Sequence, residues 1–124
     1  MTRTVRSLCF HYVSERGERR LDVTVADLRR VIERELAAGR RAGSLAEHVR
    51  AAEGESVFSV SFDDAHASVL ALAAPLLGEL GVPATLFVPT AWVGTGEPWL
   101  DWEGLRRLAG EHGWDIGSHS VSHP

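Results

Sequence analysis

The sequence predicts an α/β domain in which parallel strands alternate with helices along 124 residues. Three observations predict it. Short runs of aromatic and β-branched residues, such as VFSVSF at 57–62, recur along the chain. Between them lie longer stretches with the apolar spacing of helices. The connections are long enough to contain a helix each, which implies parallel strands with right-handed crossovers.

Each element has its own signal. SLCFHYV, at 7–13, is rich in aromatic and β-favouring residues and runs into the charged turn SERGERR, so it is expected to be the leading strand. From Val25 to Ala38, Val25, Leu28, Val31, Ile32 and Leu36 recur at helical spacing among arginines and glutamates, as in an amphipathic helix. SLAE, at 44–47, is a capping box in which Ser44 accepts from the third helical amide and Glu47 reaches back, opening a short helix to about Ala52. In VFSVSF, Phe58, Val60 and Phe62 alternate with Ser59 and Ser61, a strand by period and composition. HASVLALAAPLLGEL, at 66–80, is too long for a strand and mostly apolar. It reads as a buried helix, interrupted near Pro75 and terminated by Gly81. ATLFV, at 84–88, is the next strand, and PTAWVGTGEPW, at 89–99, a loop rich in Gly and Pro. Asp101 caps a helix that turns Leu105, Leu108 and Ala109 inward and ends by Gly113. WDIGS, at 114–118, is the last strand.

Composition bounds the function. The apolar (44%) and charged (24%) fractions are those of a globular domain. A net charge of −4 argues against nucleic acid or an anionic membrane as partner. No run of 18 apolar residues occurs, so no spanning helix is expected. MTRTVRSLCFHYVSERGERR lacks the unbroken apolar stretch of a secretory signal, which makes a cytoplasmic location the default expectation. Cys9 is the one cysteine; it excludes an internal disulfide and is expected to be a small buried hydrophobe.

In parallel α/β sheets chemistry collects at the carboxyl ends of the strands. Asp63 and Asp64 follow the strand at 57–62, His119 and His123 follow the strand at 114–118, and the loop at 89–99 lies between. All three open onto one edge. Two neutral imidazoles and one carboxylate form a ligand set for a zinc-like ion that keeps a position for water. Such an ion lowers the pKa of that water from about 15.7 towards roughly 7. A second carboxylate can then accept the proton as general base. Neighbouring side chains leaving a strand diverge, so one acid can face the ion while the other faces the water. Each pair alone has a plainer explanation. GSHSVSHP, at 117–124, can be a solvated turn, since Pro124 disfavours helix at His123, and the acids can cap the helix that follows them. Matching ligand types on one predicted edge favour the joint reading.

These residues resemble a known family. SFDDA, at 61–65, is similar to the Thr/Ser-Phe-Asp-Asp-Gly signature of the polysaccharide deacetylases, the NodB-homology group of carbohydrate esterase family 4. GVPATLFV resembles the strand that follows it. WLDWEGLRRLAGEHGWDIGSHSVSHP is similar throughout to the helix, strand and His-Ser/Thr-x-x-His-Pro loop, and CFHYV resembles the leading strand. The likeness runs over roughly 7–124 and is strongest from 57. It implies one partial domain over 1–124, with leading strand and helices at 7–56 and a metal-site core at 57–124, belonging to a distorted seven-stranded, TIM-like (β/α) barrel of bacterial type. It implies a hydrolase of non-peptide carbon–nitrogen bonds, removing acetyl groups from N-acetylated (or O-acetylated) sugars by metal-activated water. Asp63 would be the general base. Asp64, His119 and His123 would hold a divalent metal, zinc before others. Ser120 would brace the histidine loop through a hydrogen bond.

Two departures stand out. Ala65 replaces the family's glycine and would strain the loop if the position requires a positive φ. Family members continue past the histidine loop with an arginine segment, an Asp-Trp segment and a histidine general acid. A missing C-terminal half or partner chain is therefore expected, along with an open sheet edge. No residue is assigned the acid role. Members are often secreted or cell-surface proteins, in contrast with the default location above.

Of the remaining residues, His11, at the end of the first strand, can point into the site, but a buried, hydrogen-bonded histidine is the plainer expectation, and His66 is expected to sit in a first helical turn without a role. A sugar can stack on Trp92, Trp99 or Trp102 beside this loop, but packing of Trp99 and Trp102 on each other or on the helix below is the plainer expectation, and Trp114 is expected in the core. Arg40, Arg41, Arg106 and Arg107 read as solvated helix faces. The alternative function is a truncated, catalytically inactive domain that binds a metal or a glycan. A signalling receiver domain shares the length and the acidic pair but needs a lysine, and this chain has none.

Overall fold

The computed structural model describes residues 4–17, 20–50 and 56–121. In chain order the elements are β1 (Thr4–Phe10), β2 (Tyr12–Ser14), β3 (Asp22–Thr24), α1 (Val25–Ala37), β4 (Arg41–Ala42), α2 (Leu45–Arg50), β5 (Ser56–Asp63), a π-helical turn (Val69–Ala73), α3 (Ala74–Leu80), β6 (Ala84–Val88), α4 (Trp102–Gly110) and β7 (Asp115–Ser118). The main sheet is parallel in the order β1-β5-β6-β7, with the short β4 paired to the start of β5. This is the expected α/β sheet, with the predicted leading strand joining it only as far as Phe10.

The leading strand is not one piece. β1 follows β5 as far as Phe10 opposite Phe62, and the chain then breaks at His11. Beyond the break the Val13 amide donates to the Ser68 hydroxyl at 2.9 Å, and β2 pairs in parallel with β3 as a separate small sheet. The capping box forms as expected: Glu47 N donates to Ser44 Oγ (3.2 Å) and Ser44 N to Glu47 Oε1 (3.5 Å). The expected end of that helix at Ala52 lies outside the described residues.

Phe58, Val60 and Phe62 of β5, with Ala84, Leu86 and Val88 of β6, are buried in one core with Leu28 and Ile32 of α1, Leu76 and Leu77 of α3 and Leu105 and Leu108 of α4. Each such side chain contributes roughly 1.5–3 kcal/mol on leaving water. Trp114 stacks on Phe62 at 5.4 Å, in the core as expected. The other face of β5 therefore carries Ser59 and Ser61, and the same alternation brings Asp63 to that face at the strand's carboxyl end.

Pro75 interrupts the apolar helix as expected. Its missing amide and ring clash with the preceding turn widen the backbone, so a π turn at Val69–Ala73 interrupts the helix, which is regular again from Ala74. Gly81, at φ 71°, ends it. Asp101 caps α4 by accepting from Gly104 N at 2.8 Å, and α4 stops at Gly110, before the expected Gly113.

Two arginines differ from expectation. Arg40 and Arg41 lie beyond α1. Arg40 pairs with the buried Glu35, and Arg41 belongs to β4 and pairs with Glu47. Arg106 and Arg107 do lie on a solvated helix face, paired with Glu103 and Glu111. Among the described residues no helix is long and apolar enough to cross a membrane.

Candidate active site

β5 ends at Asp63, which is in register with Phe87 of β6. Asp64, the next residue, takes a left-handed conformation at φ 63°. Aspartate tolerates this region better than most residues, because its short polar side chain can bond locally. The turn redirects the chain, so the two carboxylates part. The Asp63 side chain remains 22% exposed, and that of Asp64 is 5% exposed. Ala65 is fully buried and is not among the positive-φ residues, so the strain expected at that position falls on Asp64 instead. The acids are also not a helix cap, since Asp63 completes a strand.

At the other strand end, His119 N donates to Val88 O at 2.9 Å, extending the β6–β7 pairing by one bond. Ser120 is the second left-handed residue outside glycine, at φ 65°. These turns bring His119 Nε2 to 3.5 Å from Asp64 Oδ1, across 55 residues of sequence. That separation is long for a good N–H···O bond. It is close to the edge, roughly 3.4 Å, of a tetrahedron whose ligands lie about 2.0–2.1 Å from zinc. A carboxylate oxygen and an imidazole nitrogen so placed fit a shared divalent ion. Among the described residues no third metal-binding side chain joins them. His123, the expected third ligand, lies outside those residues.

Asp63 has its own neighbours. His11 Nε2 is 3.8 Å from Asp63 Oδ2, and Cys9 Sγ is 3.6 Å from the same oxygen. Both correct the sequence reading. Cys9 is exposed rather than buried, because it alternates away from the helix-packed face of β1. Partial burial of its sulfur still pushes the thiol above its ordinary value, and the charges of Asp63 and Asp64 add to this against a hydrogen bond from Ser61. His11 is part-exposed, not a core histidine, because the strand breaks there and frees its ring to face Asp63.

The family model for polysaccharide deacetylase matches residues 50–124, more than half of the chain. The chain belongs to the polysaccharide deacetylase family. No curated protein matches it significantly. Among solved structures it is similar to IcaB from Ammonifex degensii (TM-score 0.84, 21% identity, 98% of this chain and 56% of that one). It is also similar to a polysaccharide deacetylase from Bacillus cereus (0.83, 18%, 97% and 40%). A third is the deacetylase PplD from Streptococcus pyogenes, solved with acetate (0.82, 21%, 97% and 57%). At these identities the likeness is one of fold: the parallel sheet is that of the (β/α) barrel of such deacetylases. The chain spans about half the length of these structures, from 40% to 57%.

In this member of the deacetylase family the loop after β6 ties the two strand ends together. Leu100 N donates to Ala65 O and Ala67 N to Pro98 O, both at 2.8 Å, on the acidic side. Ala91 N donates to Val121 O at 2.8 Å and Thr90 N to Ser120 O at 3.3 Å, on the histidine side. Trp92 and Trp99 of this loop pack on each other with centroids 4.5 Å apart. Trp99 thus packs on Trp92 and not on Trp102 as expected; Trp102 is exposed, at the first turn of α4. His66, expected to do nothing, is buried: its Nδ1 accepts from Ser68 N at 3.1 Å and lies 2.8 Å from Ser68 Oγ, and its ring meets Trp99 edge-on. For His11 the first of the two readings holds: its place at the end of a strand in a parallel sheet turns it towards the acidic pair.

Proposed function

We propose that this chain carries the acetyl-removing site of a metal-dependent polysaccharide deacetylase, with residues 7–56 leading into a metal-site core at 57–124. The observation that supports it best is the approach of Asp64 Oδ1 to His119 Nε2, 3.5 Å apart at adjoining strand ends. Asp64, His119 and His123 would hold a divalent ion, zinc before others. Bound there, the ion supplies Lewis acidity, drawing the pKa of a water towards about 7 and polarising the acyl oxygen. Asp64, nearly fully buried, is the acid suited to a fixed ligand role. Asp63, more open to solvent, is the general base, taking the proton of the attacking water on Oδ2. His11, whose Nε2 is 3.8 Å from that oxygen, would deliver a proton to the departing sugar nitrogen. The bond broken is the amide C–N, and the products are acetate and a free amine. Ser120, by its left-handed turn and by its carbonyl bond to Thr90 N, sets the direction of the histidine loop. The substrate class is an acetylated carbohydrate.

The test is a pair of variants with two readouts, metal content after dialysis and acetate release from N-acetylglucosamine oligomers. Asp64→Ala is expected to lose the metal. Asp63→Asn is expected to keep it and to lose about 10²–10⁴-fold in rate. Identical behaviour of the two refutes the division of roles, and failure of the parent protein to retain any divalent metal refutes the reading.

A further inference from the structure

We propose that Ser68 is a positioning residue for His11: its hydroxyl ends the leading strand at that histidine and so aims the imidazole at Asp63. This deepens the deacetylase reading above and rests on it. His11 is the single residue between β1 and β2. On one side of it β1 is held by β5 as far as Phe10, opposite Phe62. On the other side the Val13 amide turns away from that ladder and donates to Ser68 Oγ at 2.9 Å. Val13 is 1% exposed and Ser68 8%, so the bond is shielded from water. The direction of the chain at His11 is thus fixed from both ends. The ring between them stays part-exposed, with Nε2 3.8 Å from Asp63 Oδ2.

The hydroxyl is itself oriented. Ser68 N donates to His66 Nδ1 at 3.1 Å, which makes that nitrogen an acceptor. Ser68 Oγ, 2.8 Å from the same nitrogen, must then give it the hydroxyl hydrogen, and its lone pairs are left to face the Val13 amide. A hydroxyl can accept and donate at once, and an alanine side chain can do neither. The His66 ring is fixed in turn by Tyr12, packed on it at 4.6 Å, and by Trp99, edge-on at 5.9 Å. Ser68 follows closely on the turn that carries both acids. One side chain therefore couples that turn to the strand end that carries His11. A misplacement of about 1 Å in a reacting group can cost about 10²-fold in rate, so the coupling bears on proton delivery to the leaving nitrogen.

The experiment compares acetate release from N-acetylglucosamine oligomers with hydrolysis of 4-nitrophenyl acetate, whose leaving group needs no proton, by the zinc-loaded protein. Ser68→Ala should lose about 10- to 100-fold on the sugar and less than about threefold on the ester. In a His11→Gln background it should cost almost nothing further on the sugar, because the ring it aims is gone. Ser68→Thr, which keeps the hydroxyl, should restore most of the rate. Two readouts do not depend on turnover. In Ser68→Ala the Val13 amide should exchange with solvent about tenfold faster or more, and the NMR resonances of the His11 ring should shift. Should Ser68→Ala fail to fold, His66→Phe removes the acceptor that orients the hydroxyl and should show the same selectivity between substrates. Equal losses on both substrates, or a loss undiminished in the His11→Gln background, would make Ser68 a merely structural residue and overturn the proposal, with the deacetylase reading left standing. A parent protein that releases no acetate would refute that reading. The placement of His11 by Ser68 would then stand if the ring resonances move and fall if they do not.

Discussion

Glu35 sits on α1 with its side chain 5% exposed, and it takes Arg6 Nε of β1 at 2.6 Å and Arg40 Nη1 at 2.7 Å. The guanidiniums are 50% and 26% exposed, so either can return to water when released, whereas the carboxylate cannot. The costs of removal should therefore be unequal. Arg6→Ala leaves Glu35 paired with Arg40 and should cost about 1 kcal/mol, at the upper end for a half-exposed pair. Arg40→Ala removes the better buried partner and should cost about 1–2 kcal/mol. The double variant strands an unpaired buried charge and should cost about 3–5 kcal/mol, more than the sum of the singles. Glu35→Ala strands nothing and should cost only about 2 kcal/mol despite breaking both bonds. Urea unfolding at pH 7 measures all four, with the midpoint moving in proportion to the free energy while the slope stays constant. A double variant that costs no more than the two singles together, or no more than Glu35→Ala, would refute the claim that the buried carboxylate decides the energetics. The functional consequence is local. Arg6 anchors the strand that carries Cys9 and His11 to Asp63, so the double variant should also lower any hydrolytic rate.

If His11 delivers the proton to the departing nitrogen, His11→Gln should lose about 10²–10⁴-fold on an acetamido sugar and much less on an activated acetyl ester, whose leaving group needs no proton. Equal losses on both would reassign it. Ala65→Gly, which restores the residue common in the family, should destabilise by about 1 kcal/mol, because Ala65 is buried and is not held at positive φ; a gain in melting temperature would show hidden strain. The Cys9 thiol is held above its ordinary value by burial and by the neighbouring acids, so it stays protonated at neutral pH. Alkylation by iodoacetamide should be slow at pH 7 and rise late with pH. Asp63→Asn removes one of the charges that raise the thiol and should shift this profile to lower pH, and an unmoved profile would count against the contact.

What the sequence made legible was whatever depends on short-range pattern. The alternation of VFSVSF placed Asp63 on one face of β5 and at its end, and the Ser44–Glu47 box formed as written. The acids and His119 came to one edge because a general rule of parallel sheets says where strand ends meet. What remained hidden depends on partners distant in sequence. The break at His11 accompanies the capture of the Val13 amide by Ser68, 55 residues on. Glu35 looks like any other acid on an Arg- and Glu-rich helix until Arg6 of β1 and Arg40 from the turn after α1 converge on it. The left-handed residue of the acidic turn is Asp64 and not Ala65, which no motif spacing reveals.

The loop at 89–100 carries the least information in its letters and the most in its bonds. Asp64 and Ser120 are held in a conformation that costs an L-residue roughly 1–2 kcal/mol each. Four backbone bonds from this loop to the two turns, at about 0.5–1.5 kcal/mol apiece, are enough to offset that cost. The balance explains how a buried carboxylate and an imidazole can stand 3.5 Å apart with the fold itself holding both turns. Weakening the loop's hold on either side should therefore act on the pair before it acts on the sheet. Ala91→Pro removes the amide bonded to Val121 without touching a core side chain. If the proposed metal site is occupied, it should lower metal affinity while leaving the unfolding free energy from urea within about 1 kcal/mol of the parent. A variant that unfolds without first losing metal affinity would mean that the loop supports the sheet and not the site.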